Sequence, residues 1–386
     1  MPRNAPNPFL FGKPVDGEHF CNRRNELRRL RELFASQNSG WLYSPRRYGK
    51  TSLIREAFAL TDDPDLYTAY VDLLGLQAGL SPAALFLRGI GPLVSRMSGG
   101  GERALAFVGS VVKSFVPALT LGEDGRPVLS VTPAAGSRHE PDLDEVLALP
   151  ERLAERHAVR VVIAIDEFQE VASVKGLEAQ LRTIFQQQRR VSYLMAGSQA
   201  SLLKTMFTSP ERPFFQFGEH IPIRRIEEVE LLRYVRGRFE HSGIVIRDRT
   251  LEAIVREARN HPHFVQYFAS VAWDLRNGGR ADDEQFLRRL VDRVVSALDP
   301  GFRAFFEGLA ASQKRILLDA ARHGGRSLLS GQRRRDANLG GASTVASALK
   351  VLADKEVMAK EGDSWEFVNP AFRLWVRERA IPRPPD

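Results

Sequence analysis

A nine-residue segment, Ser44 to Ser52 (SPRRYGKTS), constrains the fold of this chain most strongly. It follows an apolar stretch, Gly40 to Ser44 (GWLYS), that predicts a buried strand, and a helical pattern begins at Lys50. A strand, a tight loop and Gly-Lys-Thr at a helix start are typical of a P-loop, whose amides bind phosphate oxygens. The pattern predicts an α/β fold built on a parallel sheet. The predicted phosphate-binding residues are Ser44, Pro45, Arg46, Arg47, Tyr48, Gly49, Lys50, Thr51 and Ser52.

Two residues of this loop have specific predicted roles. Lys50 is expected to reach the β- and γ-phosphates of a nucleoside triphosphate, and the Thr51 hydroxyl is expected to bind Mg²⁺. Ser44 stands where the motif usually has its first glycine, so a small residue with a Cβ must make that turn. The alternative is a chance Gly-Lys-Thr loop before a helix.

A second motif follows the apolar segment Val161 to Ile165 (VVIAI), where Asp166 and Glu167 come next. Beside a P-loop, an acidic residue at a strand end usually holds the Mg²⁺ shell, and this is the role predicted for Asp166. Glu167 is predicted to polarise the attacking water as a general base. The alternative is an ordinary strand end that caps the next helix.

A further strand candidate, Val191 to Ala196 (VSYLMA), is followed by Gly197 and Ser198. At this place in a P-loop sheet, a polar side chain can sense the γ-phosphate. Ser198 is therefore a candidate catalytic residue, with a plain strand-to-loop turn as the alternative.

Strand-like and helical segments alternate only in the first part of the chain, which predicts a parallel sheet covered on both faces. Segments 118–121 and 127–131 flank a Gly-Glu-Asp-Gly turn and predict a hairpin. Helical patterns dominate later, and residues 299–301 (DPG) predict a turn between two units. The predicted organisation is an extended arm at 1–22, a core at 23–225, a helical unit at 226–300, a further unit at 301–380 and a Pro-rich tail at 381–386.

Cysteine content and hydropathy favour a cytoplasmic chain without membrane association. Cys21 is the one cysteine, so no intramolecular disulfide is possible, which suits a reducing compartment. The first residues contain no continuous apolar run of the kind found in secretory signals. The most apolar stretch, 104–121, is interrupted by Lys113 and Pro117 and is not expected to span a membrane.

The C-terminal unit shows the element order of a winged helix-turn-helix, which is three helices followed by a hairpin. The predicted elements are a helix around Ile316 to Ala320, a helix at Leu328 to Leu339, a third helix capped by Ser343 or Thr344, and a hairpin at Val357 to Val368 around Gly362 and Asp363.

Many such modules bind duplex DNA with the third helix, and the net charge of +8 permits this without requiring it. The candidate DNA-contacting residues are Arg333, Arg334, Arg335, Lys350 and Lys355. The third helix is itself poor in basic residues. A module for protein contacts or homo-oligomer packing is therefore the alternative.

Three segments together resemble a known family. They are the N-terminal NPFLFGKPVDGEHFCNRRNEL, the loop SPRRYGKTSL and the strand end VVIAIDEFQEV. They resemble the prokaryotic, archaeal-type AAA+-like ATPases, which are related to STAND signalling ATPases and more distantly to origin-recognition ATPases. The resemblance runs from about residue 7 to residue 379. It implies ATP and Mg²⁺ as cofactors, a helical lid at 226–300 and a C-terminal winged helix.

The resemblance also implies further site residues. Arg23, within FCNRRNEL, matches the arginine of a nucleotide-contacting motif in which Asn22 replaces a glycine. Pro262 matches a lid proline that packs near the base, with Asn260 replacing a glycine. Relatives often carry a Gly-Arg pair after the sensor strand. That pair is missing here, and Arg212 is the candidate arginine finger, with a surface arginine as the alternative.

The leading hypothesis is an ATP-hydrolysing, AAA+-like molecular switch, with DNA as a candidate partner of its winged helix. The alternative is a nucleotide-gated protein-interaction or oligomerisation module with little turnover, since losing an arginine finger can lower the rate about 10³-fold or more. A P-loop kinase for a small molecule is a third hypothesis, for which the sequence shows no second substrate pocket.

Overall fold

The computed structural model describes residues 6–99, 101–111, 115–121, 127–133, 142–282 and 284–381. The chain divides into two compact units, one of Asp16–Arg224 and the other of Met1–Val15 with Arg225–Asp386. The turn of the hairpin predicted after residue 118, and all but the first residue of the predicted tail, lie outside these described residues. No helix within the described ranges is long and apolar enough to cross a bilayer.

A parallel sheet forms the centre of the unit Asp16–Arg224, as the sequence predicts. The strands of this unit are β1 (Gly40–Tyr43), β2 (Leu66–Asp72), β3 (Phe115–Leu121), β4 (Pro127–Pro133), β5 (Arg160–Asp166), β6 (Val191–Gly197) and β7 (Glu219–His220). Five of them form the sheet in the order β2-β5-β6-β1-β7, with every pair parallel. β3 and β4 pair antiparallel, which confirms the predicted hairpin.

Helices cover both faces of this sheet. They are α1 (Arg24–Ala35), α2 (Lys50–Ala59), α3 (Pro82–Ser98), α4 (Gly101–Val111), α5 (Leu143–His157), α6 (Leu177–Gln187) and α7 (Ala200–Thr208). One face buries Phe34 of α1 and Ile54 of α2, while α3 to α7 cover the other face. Each such apolar side chain contributes about 1.5–3 kcal/mol when fully buried. Because helices cover both faces of the sheet, its central strands are continuous apolar runs in the sequence.

Strand β5 shows how side-chain alternation positions a polar group. Ile163 and Ile165 enter the cluster beneath α3 to α7, whereas Val162 and Ala164 enter the cluster beneath α1 and α2. Successive side chains of a strand point to opposite faces, so Asp166 at the strand end belongs to the α2 face. This is the face on which the helix after the P-loop packs.

In its described residues, the other unit is helical apart from one hairpin. Its elements are α8 (Glu228–His241), α9 (Asp248–Glu257), α10 (Pro262–Asn277), α11 (Phe286–Glu307), α12 (Ala311–His323), α13 (Gly331–Asp336), α14 (Ala342–Asp354), β8 (Met358–Glu361), β9 (Ser364–Phe367) and α15 (Pro370–Trp375), followed by a π-helical turn at Val376–Ala380. The turn predicted at 299–301 is wrong, because α11 continues through Pro300. The Trp375 indole N–H donates to Asp299 (2.7 Å) beside this proline.

The N-terminal residues from position 6 are held by helices of this same unit. The Asn7 amide donates to the carbonyl of Ser270 (3.1 Å) and to Asp274 Oδ1 (2.9 Å). The ring of Phe9 lies 4.9 Å from that of Phe239. These residues of the predicted arm are therefore anchored to α8 and α10.

The winged-helix elements follow in the predicted order, with two local corrections. Ser330 accepts a hydrogen bond from the Arg333 amide and starts α13 later than the predicted Leu328. Gly341 is the N-cap of α14, so the predicted capping by Ser343 or Thr344 is wrong. The hairpin of β8 and β9 confirms the prediction.

Candidate functional site

The loop between β1 and α2 follows the predicted P-loop path. Gly49, the N-cap of α2, has φ +86°, a left-handed conformation that glycine adopts without strain. It has no side chain to cap the first amides of α2, which suits an anion at the helix start. Ser44 is buried and does not have positive φ, so a Cβ is accepted at the first position of the motif.

Lys50 lies between the two predicted acidic residues. It is 8% exposed, and its Nζ lies 3.4 Å from Asp166 Oδ1 and 3.6 Å from Glu167 Oε1. A buried charge is tolerated when it is paired, and both carboxylates pair with this ammonium. The structure thus brings the two predicted motifs together.

Asp166 accepts several hydrogen bonds at the end of β5. Its Oδ2 accepts from Thr51 Oγ1 (2.8 Å) and from the Tyr70 hydroxyl (2.6 Å), and its Oδ1 accepts from the Glu167 amide (3.0 Å). Burial opposes the charge of Asp166, but the Lys50 ammonium and these donors outweigh it and hold its pKa below the usual range. Asp166 is therefore an ionised ligand candidate.

The residues at this place fit a Mg²⁺–nucleotide complex. Thr51 and Asp166 lie 115 positions apart in the chain, yet they present touching oxygen atoms of the kind that Mg²⁺ prefers. Lys50 and the first turn of α2 are the corresponding partners for phosphate oxygens. The donor chemistry therefore matches what the motifs predict for ATP and Mg²⁺.

Glu167 is held by two side-chain donors. Its Oε2 accepts from Ser198 Oγ (2.8 Å) and from Gln169 Nε2 (2.6 Å). Ser198, predicted to sense the γ-phosphate, is 3% exposed and contacts the predicted base. Its contact with phosphate stays a prediction.

Sequence reasoning missed Tyr70, Asp72 and Gln169. Asp72 ends β2 beside Asp166, and burial together with the charges of Asp166 and Glu167 raises its pKa, against the opposing Leu74 amide and Lys50. Burial and the charge of Asp166 also raise the pKa of Tyr70 well above its usual value. Asp72 follows an apolar strand as Asp166 does, which is a signal in the sequence. Nothing comparable marks Tyr70 or Gln169.

Arg23 holds the P-loop in place. Its guanidinium donates to the carbonyls of Tyr48 (2.8 Å) and Arg224 (2.8 Å), and it pairs with Glu26 (3.2 Å). These bonds fix the loop backbone, while direct contact of Arg23 with the nucleotide stays a prediction. Asn22, which replaces a glycine, has φ +52°, a conformation that asparagine tolerates better than most residues.

The two other residues implied by the resemblance are Arg212 and Pro262. Arg212 forms an ion pair with Glu178 of α6, so its role as an arginine finger stays a prediction. Pro262 is the first residue of α10 in the other unit. Asn260, before it, has φ +56°, which explains why the glycine usual at that position is replaced by asparagine.

The predicted DNA-contacting residues differ in their surroundings. Arg333 donates to Asp319 Oδ2 (2.8 Å) and to the Gly324 carbonyl (2.7 Å). Since Asp319 is buried, Arg333 stabilises the domain itself. Arg334 donates to the carbonyls of Leu329 (3.2 Å) and Gly340 (3.3 Å), whereas Lys350 and Lys355 are exposed. Arg335 is exposed on the same helix as Arg334. Contact of any of these residues with DNA stays a prediction.

Comparisons with known proteins agree with this architecture. Residues 300–378 match the family described as a probable winged helix domain. A Walker-type ATPase of Pyrococcus abyssi is 16% identical, with a TM-score of 0.65 over 96% of this chain and 99% of that one. The Aeropyrum pernix ORC2 protein in ADPNP–ADP complexes is 18% identical, with a TM-score of 0.54 over 92% of each chain. No curated protein matches in sequence.

At identities this low, the structural similarity establishes the fold, and the activity has to be argued from the residues of the site. The parallel sheet, the P-loop geometry and the winged-helix match agree with one another. The chain therefore has the fold of the archaeal-type, AAA+-like P-loop ATPases that its sequence resembles, with a winged helix domain at its C-terminus.

Proposed function

We propose that this protein binds ATP with Mg²⁺ and hydrolyses it to ADP and phosphate. One observation carries the proposal: contacts of 2.8 to 3.6 Å join Lys50 and Thr51 to Asp166 and Glu167, which come from a distant segment. A structural ion pair alone would not require a threonine hydroxyl and a helix N-terminus at the same place. The Pyrococcus abyssi relative is itself a Walker-type ATPase, which supports the proposal.

Each residue has a distinct role in the proposed reaction. Lys50 and the first turn of α2 bind the phosphate oxygens, while Thr51 and Asp166 hold Mg²⁺. Mg²⁺ would supply charge neutralisation on the phosphate oxygens. Glu167 orients the attacking water and accepts its proton as the new P–O bond forms, and ADP departs. Ser198 keeps the Glu167 carboxylate in place.

We further propose that the nucleotide switches the protein between two conformational states in the cytoplasm, as a homo-oligomer or with a protein partner. A bound triphosphate and its hydrolysis products differ in charge and contacts, which is the physical basis of such switches. The bonds from Arg23 to the P-loop carbonyl support the proposal, because they connect the loop to the segment before α1.

Glu167→Gln separates nucleotide binding from chemistry. The amide keeps the shape of the side chain but cannot accept the proton from water, so hydrolysis should fall by ~10²-fold or more while ATP stays bound. Phosphate release and calorimetric ATP binding measure the two effects. Glu155→Gln, an exposed change on α5, is the matched control. Parental hydrolysis in Glu167→Gln would place the base elsewhere.

Duplex DNA binding through the winged helix is a second candidate function. Lys350 and Lys355 are exposed on and just after α14, and Arg334 and Arg335 lie on α13. Such side chains bind DNA phosphates and displace the counterions condensed on the DNA. The affinity for duplex DNA should therefore fall steeply as the salt concentration rises. Weak, sequence-tolerant binding is expected.

The DNA proposal is tested by gel shift at several salt concentrations. Replacing Arg334, Arg335, Lys350 and Lys355 by Ala should flatten the log–log salt slope by ~0.9 for each lost phosphate contact. Arg333 is left intact because it pairs with buried Asp319. Arg88→Ala with Arg152→Ala, exposed positions in the other unit, is the control for lost charge. No duplex binding at low salt, with or without ATP, would favour a protein-interaction or oligomerisation module.

A further inference from the structure

Two side-chain hydrogen bonds to the proposed base end on the same oxygen. Both side-chain donors, Ser198 and Gln169, bind Oε2 of Glu167, while Oε1 lies 3.6 Å from the Lys50 ammonium. Oε1 is therefore the oxygen that lies toward the phosphate-binding lysine. A general base needs such an oriented oxygen, because proton transfer requires close hydrogen-bond geometry.

Gln169 is the less accessible of the two donors, at 2% exposed. Its Nε2 lies 2.6 Å from Glu167 Oε2 and 3.3 Å from Glu170 Oε1, so one amide group separates two carboxylates. The reverse amide orientation would place an oxygen against both carboxylates, which is electrostatically unfavourable. The chemistry of the neighbours thus determines how Gln169 is oriented.

The opposite side of Gln169 is restricted by the backbone of β6. A Cβ built on Gly197 would lie 2.2 Å from Gln169 Oε1. Gly197 does not have positive φ, so the absence of a side chain there serves space and not backbone conformation. Among the described residues, Gln169 Oε1 has no hydrogen-bond partner. A buried amide oxygen without a partner is unfavourable and indicates that the contacts of the other end outweigh its cost.

The second carboxylate, that of Glu170, is held by a residue of another segment. Glu170 is 7% exposed, and its Oε1 accepts from Gln77 Nε2 (2.8 Å) in the 3₁₀ turn Leu74–Ala78. Gln77 thereby limits the movement of Glu170. The amide of Gln169 has anchored partners on both sides.

We propose that Gln169 is a positioning residue for the general base: its amide holds Glu167 Oε2 and so aims Oε1 at the reacting water. The inference rests on the proposed hydrolysis, and Gln169 acts only through Glu167. Without the amide, Glu167 and Glu170 repel each other and the carboxylate of Glu167 rotates. Displacement of a catalytic group by about 1 Å can lower a rate by about 10²-fold.

Gln169→Met tests the proposal, because methionine has a similar shape and no donor. We expect kcat to fall at least tenfold while KM and the calorimetric Kd for ATP stay within twofold. Gln169→Asn keeps the amide on a shorter side chain and should recover part of the rate. Gln188→Met is the control, since Gln188 is a half-buried glutamine of the same unit that donates to the Leu147 carbonyl. Rates are normalised to the ATP-binding stoichiometry, so that an unfolded fraction does not lower the measured kcat.

A double variant distinguishes positioning from a general structural role. In the Glu167→Gln background, Gln169→Met should lower the residual rate by less than twofold, because the group on which it acts is gone. A further tenfold loss there, or a parental kcat in Gln169→Met alone, would overturn the proposal. The proposed function fails separately if the parent protein releases no phosphate or if Glu167→Gln keeps the parental rate, and the inference then fails with it.

Discussion

At the residue scale, the site contains several residues in the left-handed region of backbone space. Asn22, Arg23, Arg47 and Glu167 have φ between +51° and +66° without being glycine. For most residues this conformation costs about 1–2 kcal/mol, and such strain concentrates at functional sites. The positive φ values therefore mark these four positions as candidates for a role in the site.

Arg47→Asn tests this at the P-loop. Asparagine tolerates positive φ but has no charge, so the free energy of unfolding should change by less than about 1 kcal/mol. ATP affinity should fall about tenfold, because a charged hydrogen bond to a phosphate contributes about 1.5–3 kcal/mol. Calorimetry and thermal unfolding measure the two quantities. Unchanged affinity would mean that exposed Arg47 does not contact the nucleotide.

At the element scale, the end of each central strand delivers one group to the site. β1 leads into the P-loop, β5 ends with Asp166, and β6 is followed by Ser198. Parallel strands in neighbouring positions bring their carboxyl ends to the same edge of a sheet. This is why three motifs that are far apart in sequence meet.

Helix α11 is the element where local signals were misleading. Pro300 has no amide hydrogen for the helical ladder, yet the helix runs from Phe286 to Glu307. Pro300→Ala should restore one hydrogen bond and raise the free energy of unfolding of this unit by about 1–3 kcal/mol. Thermal unfolding followed by circular dichroism measures it. Destabilisation would instead show that the unit needs the proline in this helix.

At the scale of the whole molecule, ligand binding should appear as stability. A ligand that binds only the folded state stabilises it by about 2.7 kcal/mol at a concentration of 100 Kd. MgATP should therefore raise the unfolding temperature of the parent protein. Lys50→Ala removes the phosphate-binding charge and should abolish this shift while the protein stays folded. An equal shift in Lys50→Ala would contradict the P-loop assignment.

Much of the architecture could be predicted from local signals. The strands leading to Tyr43, Asp166 and Gly197 and the hairpin around Gly362 follow from apolar runs and turn residues, which are properties of neighbouring residues. The turn at 299–301 could not be judged locally. Packing of α11, with Asp299 bonded to Trp375, overrides the preference of its proline.

The sequence by itself determined the P-loop, the acidic pair and the sheet class, because each depends on a short pattern with a mechanism. Only the tertiary structure decided which side chains contact one another. Tyr70 reaches Asp166, Gln169 lies between two glutamates, and Arg333 pairs with Asp319. Strand register brings Tyr70 to Asp166, and helix packing brings Arg333 to Asp319. Gln169 is a chain neighbour of both glutamates, but only the 3₁₀ turn Phe168–Ser173 places its amide between their carboxylates.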